Sequence, residues 1–282
     1  MSKLLITAAG AALIAAGPAL AQAADPHAAH NQAGHSAGGH AEHAALQAAI
    51  DAPTRTAANK ARDNWRHPME TLAFFGVKPN DTVVELWPGG GWYTEILAPY
   101  LAQRGSLYVV PPTGRYEEGI RKKIATDAKA YAKVQVATIT PGTDTSIPAG
   151  SADVVLTFRN IHNWAMGDAP IADAVMKEAY RVLKPGGVLG VVEHRLPEAR
   201  DAAAEKSSGY MKVSSVRRLA EAAGFQLAEE SEINANPKDT ADHPKGVWTL
   251  PPTLTMGDAD RAKYQAIGES DRMTLKFVKP RA

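Results

Sequence analysis

The chain has 282 residues, no cysteine, and 31 basic against 30 acidic residues, for a formal net charge of +1. The lack of cysteine excludes disulfides, thiolate metal sites and a cysteine nucleophile, so the core alone must stabilise the fold. The near-zero charge supplies no field that would hold nucleic acid, and the length suffices for one α/β domain with additions.

Residues 1–23 have the pattern of a cleavable secretory signal peptide. Lys3 precedes an apolar run over residues 4–20, and small residues suited to cleavage follow it. The alternative is a transmembrane anchor, but glycines and a proline interrupt the run, which falls short of the roughly 20 strongly apolar residues that span a bilayer. We therefore expect a periplasmic protein that keeps no stable membrane anchor after cleavage.

Residues 24–53 are rich in alanine, glycine and histidine, and five of the nine histidines of the chain lie between His27 and His43. One interpretation is capture of a divalent transition metal by imidazoles. The other is a solvated linker, which the sequence favours because few acidic residues accompany the histidines to support them as ligands. We expect a linker here and no metal site in the domain that follows.

From residue 54 to residue 282 the sequence predicts one domain in which strands and helices alternate, as in a parallel sheet covered on both faces. The predicted strands are 82–86, 106–110, 134–140, 153–158, 187–193, 225–233 and 271–279. The predicted helices are 54–75, 92–101, 117–131, 169–183 and 213–223. No crossover helix separates the last two strands, which predicts a seven-stranded, mostly parallel sheet with one antiparallel strand. The segment 234–270 is too long for a hairpin turn and is predicted to form a flap over the site.

The junction of the first strand and the next helix carries the strongest functional signal. Glu85 lies at the end of a β-branched strand, and Gly89, Gly90 and Gly91 follow before the helix. Glycine allows backbone dihedrals that a side chain forbids and a close approach to a ligand. Two classes of protein share this outline, the dinucleotide-binding oxidoreductases and the class I S-adenosylmethionine-dependent methyltransferases. The oxidoreductases require a third glycine where Thr94 stands and an acid about 20 residues later. Here the acid precedes the glycines, which favours a methyltransferase.

Over residues 54–279 the chain resembles the class I S-adenosylmethionine-dependent methyltransferases, and more narrowly a family of exported bacterial predicted methyltransferases. The narrow resemblance rests on the segments 66–68, 85–94, 158–163 and 268–275. The resemblance implies a Rossmann-like fold and S-adenosylmethionine as cofactor, without implying a particular reaction.

By this resemblance, Glu85 is the acid of the first motif, and Gly89 and Gly91 pass against the methionine part of the cofactor. Trp87 replaces the first glycine of the usual triplet, and its indole either packs on the cofactor or narrows the channel. The cofactor-binding residues implied are Glu85, Trp87, Gly89, Gly90, Gly91, Thr94 and Asp144, the last at the adenine position.

The chain departs from the class at the end of the second strand, where an acid usually takes both ribose hydroxyls. Here Val110 and Pro111 occupy that position. Losing a charged acceptor removes roughly 1.5–3 kcal/mol per hydrogen bond. Either Glu117 or Glu118 reaches back from the next helix, or adenosyl binding is weak.

Candidate catalytic residues follow the fourth strand, because open α/β sheets bind ligands beyond the carboxyl ends of their strands. His162 is a candidate general base, Arg159 a candidate holder of an anionic substrate, and Asn160 a third polar group there. The alternative for His162 is that it caps the next helix or bonds the backbone. Glu193 and His194 form a second polar cluster at the same edge, or an ordinary solvated strand end.

Two functions from different classes follow. The first is an S-adenosylmethionine-dependent methyltransferase that acts on a small molecule by in-line displacement. The second is an exported, non-catalytic binding protein on the same scaffold, with metal binding by the N-terminal histidines as an addition. The second accounts for export away from the cytosol, where the cofactor is made, and for the missing ribose acid.

Overall fold

The computed structural model of the protein describes residues 37–138 and 146–281. Its strands are β1 (Thr82–Leu86), β2 (Ser106–Val110), β3 (Val134–Val136), β4 (Ala152–Phe158), β5 (Leu183–Leu196), β6 (Met211–Lys212), β7 (Gln226–Ser231) and β8 (Arg272–Val278). Seven strands form the main sheet in the order β3-β2-β1-β4-β5-β8-β7, and the short β6 pairs with the end of β5.

Helices surround this sheet. They are α1 (Ala37–Ile50), α2 (Ala57–Lys60), α3 (Asp63–Arg66), α4 (Pro68–Phe75), α5 (Thr94–Leu101), α6 (Arg115–Ala125), α7 (Ile161–Ala165), α8 (Ala172–Val182), α9 (Val213–Ala222) and α10 (Arg261–Ile267). Short 3-10 helices form at Ala202–Lys206 and Gly246–Thr249. None of the helices among the described residues has the length and apolar character needed to cross a bilayer.

The pairing of β8 confirms the predicted reversed strand. β1, β2, β3, β4 and β5 pair in parallel, whereas β8 is antiparallel to both β5 and β7. This is the mostly parallel sheet with one antiparallel strand that the sequence predicts. The carboxyl ends of β1 and β4 therefore lie at one edge, which positions the site.

The sheet is buried on both faces because successive residues of a strand point to opposite sides. Val83 belongs to the apolar cluster that includes Leu72 of α4 and Ile96 of α5. Its neighbour Val84 belongs to the cluster on the other face, which includes Met176 of α8. Continuous apolar runs such as β1 are typical of central parallel strands for this reason.

Helix α1 corrects the predicted linker 24–53 over its C-terminal part. Leu46, Ala49 and Ile50 lie three and four residues apart on one face of α1 and are buried in the same cluster as α4 and α5. The packed part of the chain therefore begins before residue 54. The predicted signal peptide 1–23 and residues 24–36 lie outside the described residues.

The predicted helix 54–75 is interrupted in the structure. His67 adopts a left-handed conformation with φ of 40°, and Pro68 begins a new helix directly after it. Proline disfavours helical geometry at the residue before it, so α3 ends there and α4 starts in a new direction. The predicted fifth strand is also longer, since β5 begins at Leu183 with a register shift against β4.

The segment 234–270, predicted as a flap, is fastened to the domain by buried hydrogen bonds. The side-chain amide of Asn234 donates to the hydroxyls of Thr71 in α4 and Thr274 in β8, both at 3.0 Å. The carboxylate of Asp239 accepts from the hydroxyl of Tyr210 and from the backbone N–H of Asp271. These bonds tie the segment to the start of β8.

Candidate active site

A cavity of about 300 Å³ lies where β1 and β4 end. One wall comes from α3 and the residues beside it, a second from the turns after β1 and β4, and a third from residues 247–253 of the flap segment. Its polar lining includes predicted site residues from both strands. The residues lining it that bear on function are Arg62, Arg66, Glu85, Trp87, Gly89, Gly90, Arg159, Asn160, His162, His194, Glu269 and Ser270.

The glycine turn leaves room for a ligand beside its backbone. Gly89 has a φ of 59°, and a Cβ built on Gly89 or on Gly90 would meet no atom within 4 Å. Both residues line the cavity. Gly91 differs, because its φ is 79° and a Cβ there would lie 2.8 Å from Cδ of Lys123. Gly89 and Gly90 thus form an open cradle, whereas Gly91 has a left-handed backbone and lies against the side chain of Lys123.

Glu85 is a buried carboxyl at the floor of this cradle, with 2% of its surface exposed. Burial raises its pKa to about 7, although a hydrogen bond from Thr94 and the charge of Lys123 act in the opposite direction. The hydroxyl of Thr94 donates to Oε2 of Glu85 at 2.6 Å. Thr94, predicted to bind the cofactor, is fully buried outside the cavity lining and instead positions Glu85.

Trp87 follows β1 in a left-handed conformation, with φ of 47°. Its indole lines the cavity and packs edge-on against Trp164, with 5.9 Å between ring centroids. The side-chain amide of Asn160 donates to the carbonyls of Leu86 and Trp87 at 3.0 and 3.2 Å. Asn160, predicted as a catalytic residue, therefore holds the glycine turn in place.

His162 is paired with Glu193, which joins the two polar clusters that the sequence presents separately. Nδ1 of His162 lies 2.8 Å from Oε1 of Glu193. The same carboxylate accepts the backbone N–H groups of Ile161, His162 and His194 at 2.5, 3.2 and 2.8 Å. With Glu193 as carboxylate, Nδ1 of His162 carries the proton and Nε2 is left as the basic nitrogen.

His194 lies beside this pair. Its ring centroid is 5.1 Å from that of His162, and its Nδ1 is 2.5 Å from the hydroxyl of Ser270. Burial and the neighbouring charges of His162 and Arg159 hold the pKa of His194 well below its ordinary value. Ligand atoms of His162, Glu193 and His194 lie within 4.8 Å of one another, a spacing that suits a metal ion. Because Glu193 already accepts four N–H groups, it is better suited to orient His162.

Arg159 follows β4 in a left-handed conformation with φ of 63°, fixed by a bond of 2.7 Å from its backbone N–H to the carbonyl of Val192. Non-glycine residues in this region of φ cost about 1–3 kcal/mol and cluster at ligand sites. Its guanidinium lines the cavity and forms no hydrogen bond or ion pair with any residue that the structure describes. Burial first, and then the charge of Arg272, lower its pKa to about 10.

Three more arginines stand close to Arg159 and share one carboxylate. Glu269 accepts Nε of Arg62 at 2.6 Å, Nε of Arg66 at 3.3 Å and Nη2 of Arg272 at 3.0 Å. We call Arg62, Arg66, Arg159 and Arg272 the arginine cluster. Nothing in the sequence points to Arg62. For residues 65–68 the sequence leaves open a cap over the cofactor or a core anchor at Trp65, and for residues 269–272 a closure over the cleft or a surface ion-pair network.

The residues that the sequence suggests as acceptors for the ribose hydroxyls do not line the cavity. Val110 is buried at the end of β2. Glu117 accepts two bonds from Arg121 on the outer side of α6, and Glu118 is exposed. Neither glutamate lines the cavity. Asp144, predicted at the adenine position, lies outside the described residues.

Comparisons with known proteins agree with this fold. Residues 85–191 match the family model described as a methyltransferase domain. A SAM-dependent methyltransferase from Aquifex aeolicus is similar at 15% identity and a TM-score of 0.54, covering 84% of this chain and 98% of that one. A putative sarcosine dimethylglycine methyltransferase from Galdieria sulphuraria is similar at 16% identity and a TM-score of 0.54, covering 79% and 85%. No curated protein sequence matches the chain.

The [4+2]-cyclase SpnF is also similar, at 16% identity and a TM-score of 0.54, covering 80% of this chain and 82% of that one. The match over residues 85–191 and the likeness to these solved structures show that the chain has the fold of the class I S-adenosylmethionine-dependent methyltransferases, which confirms the predicted fold class. One fold hosts many chemistries, so the substrate must be argued from the site.

Proposed function

We propose that this protein transfers a methyl group from S-adenosylmethionine to a small molecule by in-line displacement. The observation that carries the proposal is that one cavity is lined both by the glycine turn with Glu85 and by His162, whose partner is Glu193. The turn is a cradle for a cofactor, and the histidine is a base beside it. A displacement of this kind needs mainly alignment and a water-poor pocket.

The donor set fits the cofactor. A methyl group at Gly89 or Gly90 would fill the open cradle, and Glu85 offers a buried carboxyl beside it. In the proposal Glu85, Trp87 and the backbone of Gly89 and Gly90 hold the cofactor. When bound, it supplies a methyl group on a sulfonium. Trp87 and Phe158 contribute apolar surface to the same cavity.

His162 acts on the acceptor. As the nucleophilic atom of the acceptor bonds to the methyl carbon, the methyl–sulfur bond would break and leave a neutral thioether. Nε2 of His162 would take the proton that the acceptor loses, and Glu193 would stabilise the resulting imidazolium. Four accepted hydrogen bonds hold the Glu193 carboxylate in place, so the ring of His162 is oriented before the acceptor arrives. Asn160 holds the carbonyls of the glycine turn and keeps the two halves of the site in register.

A second candidate is a non-catalytic binding protein on the same scaffold. It is favoured by the end of β2, where the usual ribose acid is replaced by Val110 and Pro111 and neither Glu117 nor Glu118 lines the cavity. The cavity volume of about 300 Å³ also lies at the lower end of the range for small-molecule sites, roughly 300–1,000 Å³.

Calorimetric titration with S-adenosylmethionine and S-adenosylhomocysteine separates the two candidates. The methyltransferase proposal expects saturable binding of both, and a loss of binding in Glu85→Ala. Glu117→Ala is the matched control, because its carboxylate lies on the outer side of α6 and should leave binding unchanged. No heat at millimolar ligand would reject the enzyme and favour the binding protein.

We also propose that the segment 1–23 is a cleavable signal peptide that directs export of the protein to the periplasm. The support is the sequence pattern of that segment. Cell fractionation with N-terminal sequencing tests it. Recovery of the uncut chain in the cytosol would reject export, and recovery in the periplasm of a variant lacking residues 1–23 would show that the segment is not the signal.

A further inference from the structure

The arginine cluster holds more positive charge than the protein neutralises. Among the described residues, Glu269 is the only carboxylate that ion-pairs with any of its four guanidinium groups. The cluster with Glu269 therefore carries an excess of three positive charges at the cavity, which Arg62, Arg66 and Arg159 line and Arg272 does not. Burial raises the pKa of Glu269, but the charges of Arg66 and Arg272 outweigh it and lower the pKa to about 2.

Several hydrogen-bond donors of the cluster have no acceptor. Nη1 of Arg66 and Nη2 of Arg62 are buried without a partner among the described residues. Arg66 is only 2% exposed, yet it lines the cavity. The guanidinium of Arg159 is only partly buried, lines the cavity and also has no hydrogen-bond partner in the described part of the chain. Buried donors such as those of Arg62 and Arg66 are almost always satisfied, so their acceptor is expected to come from a ligand.

The geometry of a guanidinium group indicates the chemistry of that ligand. Arginine presents N–H donors in a planar fork that matches the two oxygens of a carboxylate or the oxygens of a phosphate. A neutral ligand would leave the excess charge uncompensated. The cluster is therefore complementary to an oxyanion.

The cluster and the histidines share one cavity. Arg62, Arg66 and Arg159 line it together with His162 and His194. An oxyanion held by these arginines would therefore bring the rest of its molecule into the space that His162 lines.

We propose that the arginine cluster binds a carboxylate or phosphate group of the methyl acceptor, so that the substrate is a small anion whose nucleophilic atom faces His162. This inference rests on the proposed function. The cofactor is the less suitable owner of the oxyanion, because its sulfonium and ammonium make it a net cation, which three uncompensated positive charges repel. An anionic acceptor instead neutralises the cluster.

The test is a titration of the purified protein with inorganic phosphate, and separately with acetate, at constant ionic strength. We expect saturable binding of at least one of the two. Arg159→Gln should weaken it by about tenfold or more, the effect of losing one charge-assisted hydrogen bond. Arg159→Lys should lose less of this affinity than Arg159→Gln, since lysine keeps the positive charge. Arg121→Gln, which changes an exposed arginine on α6, should bind like the unaltered protein. Binding that is absent, or equal in Arg159→Gln, overturns the proposal.

A second titration identifies the owner of the oxyanion. If the oxyanion that the arginine cluster binds belongs to the acceptor, saturating S-adenosylhomocysteine should leave the affinity for phosphate unchanged. If S-adenosylhomocysteine displaces phosphate while 5′-methylthioadenosine, which lacks the carboxylate, does not, the cluster serves the cofactor and the assignment to the acceptor is wrong. If phosphate binds but neither nucleoside does, the anion site stands, whereas the methyl-acceptor role and the proposed function both fail.

Discussion

Nδ1 of His162 and Oε1 of Glu193 lie 2.8 Å apart, across the boundary between the turn after β4 and the end of β5. The carboxylate is fully buried, and its other bonds come from backbone N–H groups of the same two segments. One side chain therefore orients the candidate base and also fastens the first turn of α7 to the sheet.

This double role predicts a stability cost for Glu193→Gln. One oxygen that accepts N–H groups is replaced by an amide nitrogen that cannot, which leaves buried donors without a partner. We expect the free energy of unfolding to fall by about 1–3 kcal/mol, measured by urea denaturation at neutral pH. Glu230→Gln on the exposed side of β7 is the control and should change little. Equal stability of the two variants would contradict the hydrogen-bond network.

The shifted pKa of Glu85 should make the stability of the protein depend on pH. Its folded pKa is raised from the ordinary value of 4.5 to about 7, so the fold favours the protonated acid. This contribution is fully present below pH 4.5 and is lost as the pH rises through 7. At about 1.4 kcal/mol per pH unit, the loss amounts to about 3 kcal/mol. In Glu85→Gln, which mimics the protonated acid, this contribution to the free energy of unfolding should not change as the pH rises.

The measurement is urea denaturation of both proteins between pH 4.5 and pH 8, the range that brackets the shifted pKa of Glu85. The difference between the two curves isolates Glu85, because all other groups titrate in both proteins. A difference that stays constant across this range would show that Glu85 ionises at its ordinary pKa.

The glycines of the turn are predicted to respond differently to alanine. Gly91→Ala places a Cβ 2.8 Å from Lys123 at a φ of 79°, which should lower the free energy of unfolding by about 1–3 kcal/mol. Gly90→Ala meets no atom and should stay within about 0.5 kcal/mol of the unaltered protein. Its methyl group enters the cradle, so it should instead weaken binding of S-adenosylhomocysteine. Thermal unfolding and calorimetry check the two effects, and the reverse pattern would contradict the assignment of roles.

Helix α1 is predicted to be an integral part of the domain. Leu46 is 3% exposed within the core, so Leu46→Ala should destabilise the protein by about 2–5 kcal/mol. His43→Ala, on the exposed side of the same helix, is the control. Thermal unfolding followed by circular dichroism measures both. If Leu46→Ala unfolds at the same temperature as His43→Ala, α1 does not contribute to the core.

Local patterns predicted some elements well and others poorly. The bounds of β1 and β2 agree with the sequence prediction because each is a short apolar run that ends at glycine or proline. The predicted helix 54–75 failed because its turns are divided by the left-handed His67 before Pro68. Helix α1 was missed because its surroundings are alanine-rich, and only its contacts with α4 and α5 show which face is buried.

The amino-acid sequence alone determined the alternation of strands and helices, the glycine turn after Glu85, and the polar residues Arg159 to His162 after the fourth strand. These features depend on residues near one another in the chain, where propensity and periodicity act. The tertiary structure decided that Glu193 holds His162 and that arginines from α3, the turn after β4 and β8 surround Glu269. Such contacts join residues 31 and 207 positions apart, and only strand order and register bring them together.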